Sequence, residues 1–63
     1  MKLDRIKLET AIASKGLNIS DLKSVSSGAI YRALSGRDIN TKTAYKIATE
    51  LSVDVGEIVK RED

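Results

Sequence analysis

Five times in 63 residues, an apolar residue stands just before a helix-capping residue and a second apolar residue stands four positions after it. The five are Leu3-Asp4 with Leu8, Leu17-Asn18 with Leu22, Val25-Ser26 with Ile30, Val53-Asp54 with Ile58 and, more weakly, Ile39-Asn40 with Ala44. A capping side chain accepts a hydrogen bond from an otherwise unpaired amide of the first helical turn. The flanking apolar pair closes over it as a hydrophobic staple. Asp21 and Glu57 occupy the third helical position of their segments, where a carboxylate faces the positive end of the helix dipole. The pattern predicts five short helices: 5–15 stopping at Gly16, 19–24, a third between Ser26 and Gly36, 41–51, and 55–60. It is a recurring capping device and not a solenoid repeat. Val53-Asp54-Val55 alternates too briefly for a strand, so the expected class is all-α.

Helical spacing also predicts the core. Leu8, Ala11 and Ile12 fall on one face of the first segment, and Ala29, Ile30, Ala33 and Leu34 on one face of the third. Ala44, Ile47, Ala48 and Leu51 make the clearest stripe. Leu22, Ile30, Ala44, Ile47 and Leu51 are the expected centre. Ile58, with one or both of Val55 and Val59, closes it from the last segment, and Ile39 plugs the gap between the third and fourth. Tyr45 flanks its stripe and is expected to be partly buried. Ile6 falls off its stripe, either as an ordinary exposed residue or as a partner contact.

Such a short chain with no cysteine and no histidine cannot be a disulfide scaffold or a zinc finger, and it lacks His- or Cys-based catalytic arrangements. Its carboxylates sit mostly at caps and near the C-terminus, so no enzyme activity, metal, cofactor or small-molecule ligand is expected. No membrane span or signal peptide is evident, which makes the cytoplasm the expected location. Residues 1–61 are expected to form one domain, with 62–63 a frayed tail. The charge is unevenly placed. Residues 26–46 hold Arg32, Arg37, Lys42 and Lys46 against Asp38, four cations to one anion, or +3. Residues 47–63 hold Lys60 and Arg61 against Glu50, Asp54, Glu57, Glu62 and Asp63, two cations to five anions, or −3. Basic charge concentrated on one stretch suits a polyanion, whereas a solvated surface is the plainer alternative.

That stretch contains the third segment, whose outward face holds Gly28, Tyr31, Arg32 and Ser35, with Ser27 at its edge. Two helices joined by a tight turn, the second polar on its outer face, make a helix-turn-helix. A ten-residue helix is roughly 15 Å long. It fits a major groove about 12 Å wide, presenting mainly its N-terminal half.

The order and spacing of Leu8, Ile12, Lys15-Gly16-Leu17-Asn18, Leu22, the run from Val25 to Gly36, Asn40-Thr41-Lys42-Thr43, Lys46-Ile47-Ala48 and Leu51-Ser52-Val53-Asp54-Val55 with Ile58 resemble the Cro/phage-repressor type of helix-turn-helix, the XRE family, over nearly the whole chain. The resemblance implies a compact five-helix, lambda-repressor-like domain whose second and third helices form the helix-turn-helix. It also implies a sequence-specific DNA-binding transcriptional regulator, usually bacterial or phage, acting as a dimer. By position, base contacts would fall on Ser27, Gly28 and Arg32, with Tyr31 added, and phosphate contacts on Asn18, Ser26, Ser35, Arg37 and Lys42. The chain departs from the family twice. Only Lys23 and Ser24 separate Leu22 from Val25, about three residues fewer than usual, so the second helix or the turn must be short. Gly28 stands where relatives often carry a long base-reading side chain.

Arg32 is the expected direct reader, since a guanidinium matches the O6/N7 edge of guanine; a phosphate contact or solvated charge is its alternative. Tyr31 would touch a sugar, a thymine methyl or a phosphate, or fold back over the surface. Arg37 and Lys42 flank the loop before the fourth segment, whose starting amides also favour phosphate, with ordinary surface charge as the alternative; Lys46, one turn beyond Lys42, is a weaker prospect for the same contact. The rival function is a protein-interaction module of the same fold, such as an antitoxin or anti-repressor with little DNA binding. The expected self-association is a weak homodimer, tightening on DNA, through the last segment and the exposed part of the first.

Overall fold

The caps read from the sequence organise the observed chain. In the computed structural model, which describes residues 1–61, three α-helices form: α1 (Arg5–Ser14), α2 (Ser27–Leu34) and α3 (Thr41–Glu50). The Asp4 carboxylate accepts the Lys7 amide at 3.0 Å, the Ser26 hydroxyl accepts that of Ala29 at 3.2 Å, and the Asn40 side chain accepts that of Lys42 at 2.8 Å. Each helix ends in one way as well. Gly16 (φ +67°), Gly36 (φ +77°) and Ser52 (φ +56°) take the left-handed conformation one residue past the C-cap. The next amides then reach back to the last turn: Leu17 to the Ile12 carbonyl (3.1 Å), Arg37 to Arg32 (3.1 Å) and Val53 to Ala48 (3.0 Å). Three closures of this kind satisfy carbonyls that the helix leaves open.

The expected second and fifth helices do not form. Each is a single 3₁₀ turn, Ile19–Asp21 and Val55–Glu57. Asn18 and Asp54 do begin these turns, and their backbone amides donate to Asp21 (2.7 Å) and Glu57 (3.0 Å). What fails is propagation. Leu22 leaves helical space at ψ 78° because its buried side chain and the next cap, four residues on, must both be placed by a short chain. After Glu57 the chain is β-branched at Ile58 and Val59, weak helix formers, and an extended partner lies alongside. The Asp4 amide donates to the Ile58 carbonyl (2.8 Å) and the Lys60 amide to that of Lys2 (2.9 Å), pairing Leu3 with Val59 in one antiparallel bridge. Beyond that isolated bridge, the described residues hold no sheet.

The segment 1–4 is thus a seam. One edge pairs with 58–60; near its other end, the Met1 and Ile39 backbones exchange two hydrogen bonds (2.8 and 3.0 Å). The Met1 amino group also binds the Asp38 carboxylate. That hydrogen bond, then the charge behind it, hold the Asp38 carboxyl below its ordinary range, with Lys2 acting in the same direction.

One apolar core joins all of this. Leu3, Leu8, Ile12, Leu22, Ile30, Ala33, Ile39, Ala44, Ile47, Ala48, Leu51 and Ile58 are buried together. Every member of the expected centre is there, and Ile39 does fill its gap. Leu3 is buried fully, beyond the staple role the sequence suggests. Val55 and Val59 are half-buried, and Ile6 is exposed. Tyr45 stands 54% exposed, more open than expected. At about 100° per residue it lies roughly a quarter-turn from the middle of the buried stripe, too far to be covered by it. The expected tail, 62–63, lies outside the described residues.

Candidate nucleic-acid interface

α2 is divided cleanly by its own periodicity. Ala29, Ile30 and Ala33 are buried, with α1 and the first 3₁₀ turn packed alongside the helix, while Ser27, Gly28, Tyr31, Arg32 and Ser35 form one unbroken exposed arc. The Ser26 cap and the Gly36 closure fix both ends of this helix, so the arc is presented on a short rigid rod. Gly28 faces open space: a Cβ built there meets nothing within 4 Å.

All nine candidate residues are exposed, but they do not form a single cluster. Asn18, Ser27 and Tyr31 line one cleft of about 500 Å³, together with Leu17, Ile19 and Leu34. Arg32 lies on the opposite flank of α2, in a smaller hollow of about 140 Å³ shared with Asp38, Asn40 and Thr43. Lys42 opens a third groove, on α3. Tyr31 and Arg32 therefore flank α2 on two sides, with Gly28 between them in angle.

Two hydroxyls differ in what they can still do. Ser26 accepts an amide proton, so its own O–H remains free to donate to an anion. Ser35 donates to the Tyr31 carbonyl at 2.8 Å, and must rotate away before it can donate to a phosphate. The cations are free in a stricter sense. The described residues contain two salt bridges, Met1 amino to Asp38 and Arg5 to Glu9, and neither involves Arg32, Arg37, Lys42 or Lys46. Asp38, the one carboxylate in the basic stretch, is occupied by the Met1 amino group and leaves those cations unneutralised.

Sequence reasoning passed over Tyr45 as partly buried, although its exposed face continues along α3 beside Lys42 and Lys46. The signal was available: positions 41, 42, 45, 46 and 49 make the polar half of the same wheel that gives the Ala44–Ile47–Ala48 stripe. No helix among the described residues is long and apolar enough to cross a membrane. No family model, curated protein or solved structure matches this chain.

Proposed function

We propose that this chain is a sequence-specific double-stranded DNA-binding transcriptional regulator of the Cro/phage-repressor kind, working in the cytoplasm. In this reading α2 is the helix that enters the major groove, and the 3₁₀ turn Ile19–Asp21 replaces the helix that normally precedes it. One observation carries the reading: α2 exposes Ser27, Gly28, Tyr31, Arg32 and Ser35 as one arc, and the cations on and beside it have no anionic partner among the described residues. Eight residues at about 1.5 Å each make a rod of about 12 Å, comparable with the groove width. The small residues at its N-terminal half allow close approach, Arg32 offers two parallel donors to guanine, and Arg37 and Lys42 flank the start of α3 as phosphate contacts. A weak homodimer that tightens on DNA would let two copies of α2 read half-sites about 34 Å apart.

The test separates reading from non-specific attachment. Random duplexes are first selected for binding, and variants are then compared on the preferred site across a salt series. Arg32→Ala should lose about 1–3 kcal/mol on that site and relax the base preference there. Lys42→Ala should weaken all duplexes alike and flatten the slope of log K against log salt by about 0.9. Identical behaviour of the two variants would remove α2 from the groove. A second reading, a protein-interaction module, is favoured by Ile6, 74% exposed on the α1 face away from the core. It takes over if the wild-type protein selects no duplex.

A further inference from the structure

α2 and α3 carry the same exposed face, fourteen residues apart. Ser27, Tyr31 and Arg32 of α2 and its C-cap Ser35 correspond to Thr41, Tyr45, Lys46 and Thr49 of α3, in the same order and spacing from the caps Ser26 and Asn40. The correspondence extends to one hydrogen bond: Ser35 donates to the Tyr31 carbonyl and Thr49 to the Tyr45 carbonyl, both at 2.8 Å. Where α2 has Gly28, α3 has Lys42. The second face is therefore more cationic and less able to admit a base edge.

This face borders a groove of about 590 Å³ lined by Ser24, Lys42, Tyr45, Lys46, Thr49 and Glu50. Ser24 lies in the turn leading into α2, so the groove runs from the outer side of α3 to the entry of the reading helix. Glu50 stands four residues after Lys46, the usual spacing for an ion pair on a helix. No such pair forms: the Glu50 carboxylate accepts the Ser24 amide at 2.9 Å, and Lys46 has no salt-bridge partner among the described residues. One carboxylate thus holds the groove together and leaves two lysines and an open tyrosine hydroxyl for an anion.

We infer that the α3 face is a second nucleic-acid contact, in which Lys46 and Tyr45 extend the grip of Lys42 along the phosphodiester backbone. Lys42 and Lys46, one turn apart, supply charge for successive phosphates, and the Tyr45 hydroxyl donates between them. The chemistry has no base-reading component, so this contact contributes affinity without sequence preference. It rests on the DNA reading of α2 for the identity of the polyanion, and on its own residues for everything else.

The experiment measures binding to the selected duplex and to a scrambled duplex of equal length, across a salt series, for the wild type and four variants. Lys46→Gln should weaken both duplexes by the same factor and lower the slope of log K against log salt by about 0.9, with Lys46→Arg restoring it. Tyr45→Phe should weaken both equally without changing the slope. Lys7→Gln removes the same charge from α1, where Lys7 borders Thr10, Val53 and Glu57, and should leave the slope near that of the wild type. Matching slopes for Lys46→Gln and Lys7→Gln overturn the second contact and leave the reading of α2 standing. A lowered slope in Lys46→Gln, with wild-type preference for neither duplex, upholds the α3 contact and overturns the reading helix. Wild-type protein that binds neither duplex overturns both.

Discussion

Ser52 is the one described residue other than glycine that holds a positive φ, and it sits where the two other helices use Gly16 and Gly36. An L-residue in this conformation brings its Cβ close to the following carbonyl oxygen, at a cost of about 1–2 kcal/mol. Part of any relief is offset by the greater freedom of glycine in the unfolded chain. Ser52→Gly should therefore stabilise the protein by about 0.5–1 kcal/mol, read as a higher denaturation midpoint with an unchanged slope. A lower midpoint would show that the Ser52 hydroxyl contributes more than the backbone strain removes. Gly28 is a different case, since its conformation is helical and its surroundings are open. Its missing side chain opens the approach to α2, at a cost of roughly 0.5–1 kcal/mol of helix stability relative to alanine.

At the scale of elements, the stapled caps were legible because each is local: a residue, its amide partner and an apolar pair within one turn. The helix ends at Gly16 and Gly36 were legible for the same reason. The shortness of the Ile19–Asp21 turn was legible too, since only two residues separate Leu22 from Val25, but that of Val55–Glu57 was not, because its length is set by neighbours distant in sequence. The Ile58 carbonyl and the Lys60 amide are drawn to Asp4 and Lys2, more than fifty residues away, and no local pattern announces that pairing. The exposed arc of α2 could be read from its period, whereas the flank occupied by each of its members needed the positions of α1, Ile39 and α3. The N-terminal seam carries its own prediction. With its pKa lowered, Asp38 contributes to the seam above the ordinary aspartate range, and that contribution is lost as pH falls through the lowered value. An NMR titration of its carboxyl carbon should give a midpoint under 3.8, and acetylating the Met1 amino group should move it back towards 3.8. A midpoint indifferent to acetylation would mean that the Met1–Asp38 contact does not persist in solution.

For the whole molecule, the decisive fact is that one small core serves every element, so no helix has a private source of stability. The chain's 63 residues set a total stability of roughly 3–9 kcal/mol at the usual value per residue. Leu51 is fully buried in that core, and its backbone forms the C-cap of α3. Leu51→Ala removes three carbons from a site with no exposed side, at a cost of about 2–5 kcal/mol. A loss of that size takes up a large share of the whole. Unfolding should therefore be global, with α1 and the 1–4 seam melting together with α3 although neither is near residue 51 in sequence. Far-ultraviolet circular dichroism should show a lowered midpoint. Amide exchange at Asp4 and Ile39, whose amides are bonded across the seam, should accelerate by the same free energy as exchange at Ile47 inside α3. Exchange that quickens in α3 alone would show that the seam is a separate cooperative unit, and that the core joins the elements in space without joining them in stability.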